Sequence, residues 1–287
     1  MRYQKAKETK KNFGLKAPAY WRLPDKKHEE CLILAGGPSL NEQWSDIVAY
    51  ADNVDVFTVN ASLSNPNVAK LRPAVLVLQD PIFFGVAKSF HPESLVDKLS
   101  YSIQNMLRNV DWKLTIYVPS RFLDNAQKKY AKRGNISLAA LPDCKPPANL
   151  DEEVAFQFMD KGIYCSGAQN VIIGALYLAV AARYKKIWLA GADGTSILSV
   201  SVDNYCRTFR VARHHYERQA EAIPNMPMES LLYAAYVAAA ECNLVQRYAA
   251  RSGVSIVNIC LDSLRDSFPK GKLGKEPFPY LRDQKNT

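Results

Sequence analysis

The chain is most constrained by a series of short, almost wholly apolar runs, each closed by a turn signal and separated by stretches of helical character. Residues 31–35 (CLILA) run into the turn 36–40, and residues 54–60 (VDVFTVN) follow. Residues 74–79 (AVLVLQ) are closed by Asp80-Pro81, and residues 113–118 (KLTIYV) come next. Residues 187–190 end in Gly191-Ala192-Asp193-Gly194, and residues 254–260 (VSIVNIC) form the last such run. Strands with one wet face alternate polar and apolar residues, whereas strands buried on both faces do not. Helices between such buried strands allow parallel pairing. The expected fold is α/β and Rossmann-like: a mostly parallel sheet with helices on both faces and a lid insertion.

Two helices stand out. Residues 167–184 are apolar nearly all round, as a helix enclosed by other elements would be. Residues 228–252 begin after Pro227 and stop at Gly253, with Ala234, Ala235, Ala238 and Ala239 giving a small-residue face suited to close approach to the sheet. The Tyr233, Tyr236 and Tyr248 set on this helix reads as core. Between the two helices, residues 195–226 are polar, basic and aromatic with weak periodicity, which reads as a lid after a strand end.

The chain of 287 residues is long enough to bury a full core, and its 48% hydrophobic and 23% charged content is ordinary for a soluble globular protein. The expected division is a basic N-terminal extension (1–28), a catalytic domain (29–268) with a lid at about 195–226, and a basic C-terminal tail (269–287). Disorder is expected in 1–16 and 269–287. The net charge of +9 gathers at Lys5, Lys7, Lys10, Lys11 and Lys16, and at Lys270, Lys272 and Lys275. Such clusters suit an anionic partner or serve solubility alone. No recognition module with interleaved aromatics accompanies them, so nucleic acid is not an expected partner. The six cysteines are scattered without a C-x-x-C pair and no secretory leader is read, so a reducing cytoplasm is the expected setting. The apolar run 171–182 is too short for a bilayer span of ~20 residues. Peripheral contact with an anionic inner membrane face through the basic ends remains compatible.

The turn Gly36-Gly37-Pro38-Ser39 directly follows the first strand. Glycines there let backbone N–H groups approach a phosphate at a helix N-terminus, where a Cβ would block it. An NAD fingerprint needs a third glycine and an acidic residue ending the second strand, but Pro38-Ser39-Leu40 follow the glycines and the second strand ends at Asn60. A P-loop is excluded as well, because no Gly-Lys-Ser/Thr follows.

Taken together, LILAGGPSL, VFTVNAS, GIYCSGAQNVIIGALYLAVAARYKKIWLAGADG and VSIVNICLDSL resemble the bacterial sialyltransferases of glycosyltransferase family 42. They also resemble the related domain of flagellin glycosylation proteins and of archaeal hydroxymethylpterin pyrophosphokinase-like proteins. The resemblance runs from about Cys31 to Leu264. It implies a CMP-sialic-acid-type donor, inversion at the sugar and no bound metal or other cofactor. By position, Gly36, Gly37, Pro38 and Ser39 would line the donor phosphate and ribose, with Asn60 and Asp80 at strand ends against the nucleotide. Ser166 and Gly167 would touch cytidine and sugar, and Asp193 would frame the same pocket. Gly37 stands where the sialyltransferases usually carry Asn. The family habit is to assemble, so a homo-oligomer is a candidate assembly.

Loss of CMP from an anomeric carbon builds negative charge on one phosphate, which hydrogen-bond donors can stabilise. The lid offers Tyr205, Arg207, Arg210, Arg213 and Tyr216 for that work. The acceptor hydroxyl needs a base, for which His215, then His214, is the natural choice near neutral pH, with Asp193 as fallback. His28 and His91 lie in polar, surface-like contexts. Asp203-Asn204 read as turn formers, Cys165 as buried filler, and Asp262-Ser263 either as a cytidine contact or as the cap of a following short helix.

The leading expectation is transfer of an acidic sugar (sialic acid, a related nonulosonate or Kdo) from its CMP-activated form to a surface-glycan acceptor such as lipopolysaccharide, capsule or glycoprotein. The alternatives are an ATP- and Mg²⁺-dependent pterin pyrophosphokinase-like enzyme and a non-catalytic nucleotide-binding protein.

Overall fold

A computed structural model describes residues 17–85, 93–130, 134–143, 151–165, 170–194 and 228–278. The strands are β1 (Glu30–Leu34), β2 (Asp55–Val59), β3 (Val75–Val77), β4 (Leu114–Pro119), β5 (Ile136–Leu141), β6 (Lys186–Ala190) and β7 (Ser255–Asn258). They form one sheet in the order β5-β4-β3-β2-β1-β6-β7, with every neighbouring pair parallel. The chain thus builds outward from β1 to β5, crosses back to β6 beside β1, and continues outward to β7. The α/β, Rossmann-like expectation matches this sheet.

Right-handed crossovers in opposite directions place helices on opposite faces. On one face lie α1 (Ser39–Glu42), α2 (Trp44–Tyr50), α3 (Pro66–Lys70), α4 (Glu93–Arg108) and α5 (Leu123–Tyr130). On the other lie α6 (Glu152–Asp160), α7 (Val171–Ala181) and α8 (Met228–Arg251). Alternate residues of one strand serve the two layers: Leu32 and Leu34 pack with Val56, Trp188 and Ile47, while Cys31 and Ile33 pack with Phe57, Ile173 and Leu176. Helix α7 starts at Asn170, whose side chain accepts the Ile172 N–H at 3.1 Å, and is buried continuously from Ile172 to Val180. Each large aliphatic side chain enclosed this way stabilises the fold by about 1.5–3 kcal/mol.

Three expectations need correction. Strand β5 was not expected, because Ala139 and Ala140 have low strand propensity; pairing along its whole length with β4 overrides it. The supposed loose tail is anchored over residues 269–278: Asn258 N–H donates to Pro269 O at 2.8 Å and Gly271 N–H to Asn258 O at 3.2 Å. At the opposite edge, Ala140 N–H donates to Tyr20 O at 3.1 Å, so both open edges of the sheet receive chain from the ends. Finally, Tyr248 is buried, but Tyr233 and Tyr236 are 65% and 70% exposed. Among the described residues, only the C-terminal half of α8 joins the core, through Cys242, Val245, Tyr248 and Ala249.

Among the described residues, no helix is long and apolar enough to cross a membrane. Cys31, Cys242 and Cys260 are buried free thiols, and Cys165 is buried as well.

Candidate functional site

Strand order reverses between β1 and β6, and in doubly wound sheets ligands bind outside the carboxyl ends of the strands at such a point. The residues there are the 36–39 turn after β1, the 191–194 loop after β6 and the 260–267 segment after β7. Asn60 and Asp80 lie further along the same edge, after β2 and β3.

The Gly-Gly-Pro-Ser turn is packed inward. Gly37 N–H donates to Gly191 O at 2.9 Å, and a Cβ on Gly37 would overlap both that oxygen and the Asp193 carboxylate. Gly191 itself sits at φ +64°, where a side chain is strained. Pro38 carries no N–H, and α1 is only four residues long. The fold itself therefore uses that glycine and that amide.

Asp193 is the centre of this packing. Its Oδ1 accepts from the Cys260 thiol at 3.1 Å, while its buried Oδ2, pressed toward Gly37, has no partner. The buried Ser39 hydroxyl also lacks a hydrogen-bond partner, although it faces the Cys260 thiol. Burial pushes that thiol up to about 11, the nearby Asp193 carboxylate adding to the shift and Ser39 opposing it. Cys260 is thus a neutral donor to Asp193 near neutral pH.

The strand-end residues after β2 and β3 have local structural work. Asn60 adopts a left-handed φ of 44°, which Asn tolerates, and its Oδ1 accepts the Gln79 N–H at 3.1 Å. Asp80 caps the 3-10 turn Pro81–Phe84 by accepting Ile82 N–H at 3.1 Å. Gln79 Oε1, beside Gly174 of α7, is buried without a partner.

After β7, Ser263 ties two loops together. Its hydroxyl donates to Ala192 O at 2.6 Å and accepts Arg265 N–H at 3.0 Å, and Leu264 N–H donates to Asp193 O at 2.8 Å. No helix follows it among the described residues, so the capping alternative gives way to a lacing role. Lys270, expected in a solvated tail, donates from Nζ to the carbonyls of Ser263 and Arg265 at 3.0 Å each. Burial lowers the pKa of this ammonium.

Gly36, Gly37, Ser39 and Asp193 are therefore brought together at the switch point, with Pro38 in the same turn. Asn60 and Asp80 share the edge, and each accepts a backbone N–H, of Gln79 and of Ile82. Ser166, Gly167, Tyr205, Arg207, Arg210, Arg213, His214, His215 and Tyr216 lie outside the described residues, as do His91, Asp203 and Asn204. His28 is bound into the fold by its N–H, which donates to Asp55 Oδ2 at 3.1 Å. Burial raises the Cys165 thiol well above its usual range, which suits filler rather than a nucleophile. Sequence reasoning missed Cys260, Arg265, Lys270 and Gln79. A cysteine closing an apolar strand run was the one signal pointing toward the first of them. Among the described residues, no group of three or more His, Cys, Asp or Glu side chains is placed to hold a metal ion.

The chain is thus a doubly wound α/β protein with partly unsatisfied polar groups at the carboxyl edge of its sheet. Its fold resembles that of the MAf glycosyltransferase from Magnetospirillum magneticum AMB-1, with a TM-score of 0.50 and 10% identity. The match covers 98% of this chain and 40% of that one, so the chain spans about two fifths of that protein's length. At this identity the likeness is one of fold. No protein-family model matches the chain, and no curated protein sequence matches it.

Proposed function

We propose that the chain is a glycosyltransferase that binds a CMP-activated acidic sugar along the carboxyl edge of its sheet and transfers the sugar to a surface-glycan hydroxyl. The observation that carries this reading is the gathering of buried polar atoms without partners on that edge: Ser39 Oγ after β1, Gln79 Oε1 after β3, Asp193 Oδ2 after β6 and Arg265 Nε after β7. Folded proteins pair almost all such groups, so exceptions along the edge that holds the topological switch point suit a ligand rich in hydrogen-bonding groups, although Gln157, Gln246 and Ser252 carry others elsewhere. The fold shared with a glycosyltransferase supports the class of reaction.

In the proposed step the acceptor oxygen attacks the anomeric carbon and forms the new C–O bond. The bond from that carbon to the phosphate oxygen breaks, and CMP leaves with the electron pair. His215 or His214 takes the acceptor proton, while Tyr205, Arg207, Arg210, Arg213 and Tyr216 donate to the departing phosphate and the sugar carboxylate. No metal is assigned to the step. Ser166 and Gly167 are assigned to the cytidine side.

The test is donor hydrolysis, followed as CMP release in EDTA-containing buffer. Activity is expected there and is expected to vanish in the His214→Ala/His215→Ala double variant. An absolute requirement for added Mg²⁺ would sink the metal-free step. Melting-temperature screens with CMP, CDP, UDP, GDP and ATP, each with and without metal, separate this reading from the ATP-dependent pyrophosphokinase-like one. A shift with ATP-Mg²⁺ and none with CMP would favour the latter.

A further inference from the structure

Beside Gly194 the exposed half of α8 and the turn after β7 enclose a cavity of about 190 Å³. Its walls include the small side chains Ala235, Ala238 and Ala239 on one side and Leu264, Arg265 and Asp266 on the other. Three of the alanines expected to press on the sheet thus line this cavity instead. Gly194 is at φ +71°, and a Cβ there would come within 3.0 Å of Arg265 Cγ, so glycine leaves the Arg265 stem its place.

Arg265 differs from the other paired arginines. Arg72, Arg121, Arg183, Arg247 and Arg251 each lie against a carboxylate. Arg265 instead donates from Nη1 to the Cys242 sulfur at 3.5 Å, a weak acceptor, and its buried Nε has no partner. A guanidinium held in a cavity with a donor unmatched is suited to an oxyanion, which accepts two parallel N–H groups. Lys270, anchored on the carbonyls of the same turn, adds positive potential. Asp266 lines the cavity too and offsets part of that charge, so recognition rests on the directed N–H groups more than on net charge.

We propose that this cavity is an oxyanion subsite, in which Arg265 binds a phosphoryl or carboxylate group of the ligand. Its place fits the donor reading above, on which the ligand's identity rests: Leu264 N–H is bonded to Asp193 O, so the cavity adjoins the switch point.

The test is calorimetric titration of the full chain with CMP, cytidine, inorganic phosphate and N-acetylneuraminate, using wild type, Arg265→Met and Ala238→Leu, which fills the cavity from the side of α8. Unchanged far-UV dichroism and melting temperature qualify each variant, and Ala238→Leu carries the test should Arg265→Met not fold. A bound phosphoryl group predicts CMP affinity falling by about tenfold or more in the variants with cytidine unchanged. A bound carboxylate predicts the same loss for N-acetylneuraminate with CMP unchanged. Arg265-dependent binding of inorganic phosphate without any preference for cytidine nucleotides keeps the subsite and removes the CMP donor. Wild-type affinities for every probe in the folded variants, or no binding of any oxyanion by wild type, overturns the subsite.

Discussion

The two ends of the sheet treat buried polar groups differently. At the amino end, Asp55 accepts from Lys27 N–H at 2.8 Å, His28 N–H at 3.1 Å and the Tyr184 hydroxyl at 2.7 Å. Glu30 beside it accepts from the Tyr50 hydroxyl at 2.9 Å and Trp188 Nε1–H at 2.6 Å. At the carboxyl end, Ser39, Gln79, Asp193 and Arg265 each keep a buried polar atom without a partner. An unmet buried donor or acceptor costs about 1–3 kcal/mol. The two amino-end carboxylates are thus engaged, although Ser252 Oγ just before β7 lacks a partner, whereas four groups at the carboxyl end carry that cost.

The largest expected effect tests whether the glycine turn belongs to the fold or to the ligand. In Gly37→Ala the new methyl overlaps the Gly191 carbonyl and the Asp193 carboxylate. Loss of about 3 kcal/mol is expected in urea unfolding, at the upper end of overpacking costs. Adding Asp193→Ala should recover part of that loss, since the two residues touch, and full additivity would break the inferred contact.

The amino end comes next. Tyr184→Phe removes one of three donors to the buried Asp55 carboxylate. A loss of about 2 kcal/mol is expected, with CMP affinity unchanged. Equal stability of the variant and wild type would erase the contrast between the two ends.

The layered sheet was legible because strands buried on both faces leave continuous apolar runs, and six of the seven strands announced themselves this way. Strand β5 did not, since its Ala139-Ala140 pair takes its conformation from β4. The switch-point loops could be placed from the strands they follow. What they do could not: the same glycine signal that suits a phosphate also suits the approach of Asp193 to Gly37, which only the three-dimensional contact reveals. Arg265 and Lys270 were hidden for another reason. A charge near the chain end reads as solvated until the return of residues 269–278 along β7 puts it at the site.

The Cys260 thiol offers a smaller, pH-dependent contrast. Burial raises it from an ordinary value of 9.0 to about 11. Between those values the folded chain keeps a proton that the unfolded chain has lost, so rising pH favours unfolding. This contribution is complete below pH 9 and declines through about 11, by roughly 1 kcal/mol at pH 10. The buried Cys31 and Cys165 thiols push in the same direction, whereas Lys270, with its lowered pKa, pushes the opposite way. The informative reading is accordingly the difference between wild type and Cys260→Ala. Melting temperature should fall more steeply from pH 8 to 10 in wild type, and parallel profiles would show that burial does not raise this thiol.

The smallest effect on stability belongs to Ser39→Ala, and it is the counterpart of Tyr184→Phe. Both changes delete one buried hydroxyl, but the Tyr184 hydroxyl is donated to a carboxylate while the Ser39 hydroxyl has no hydrogen bond. Deleting an unpartnered hydroxyl removes a desolvated group together with little packing, so stability should stay within about 0.5 kcal/mol of wild type or rise slightly. Under the donor reading proposed above, CMP affinity should fall although the protein has not weakened. A loss of 1–2 kcal/mol on unfolding would instead show that Ser39 is satisfied within the fold. In that case the edge after β1 would resemble the amino end, and the unsatisfied groups would reduce to those after β3, β6 and β7.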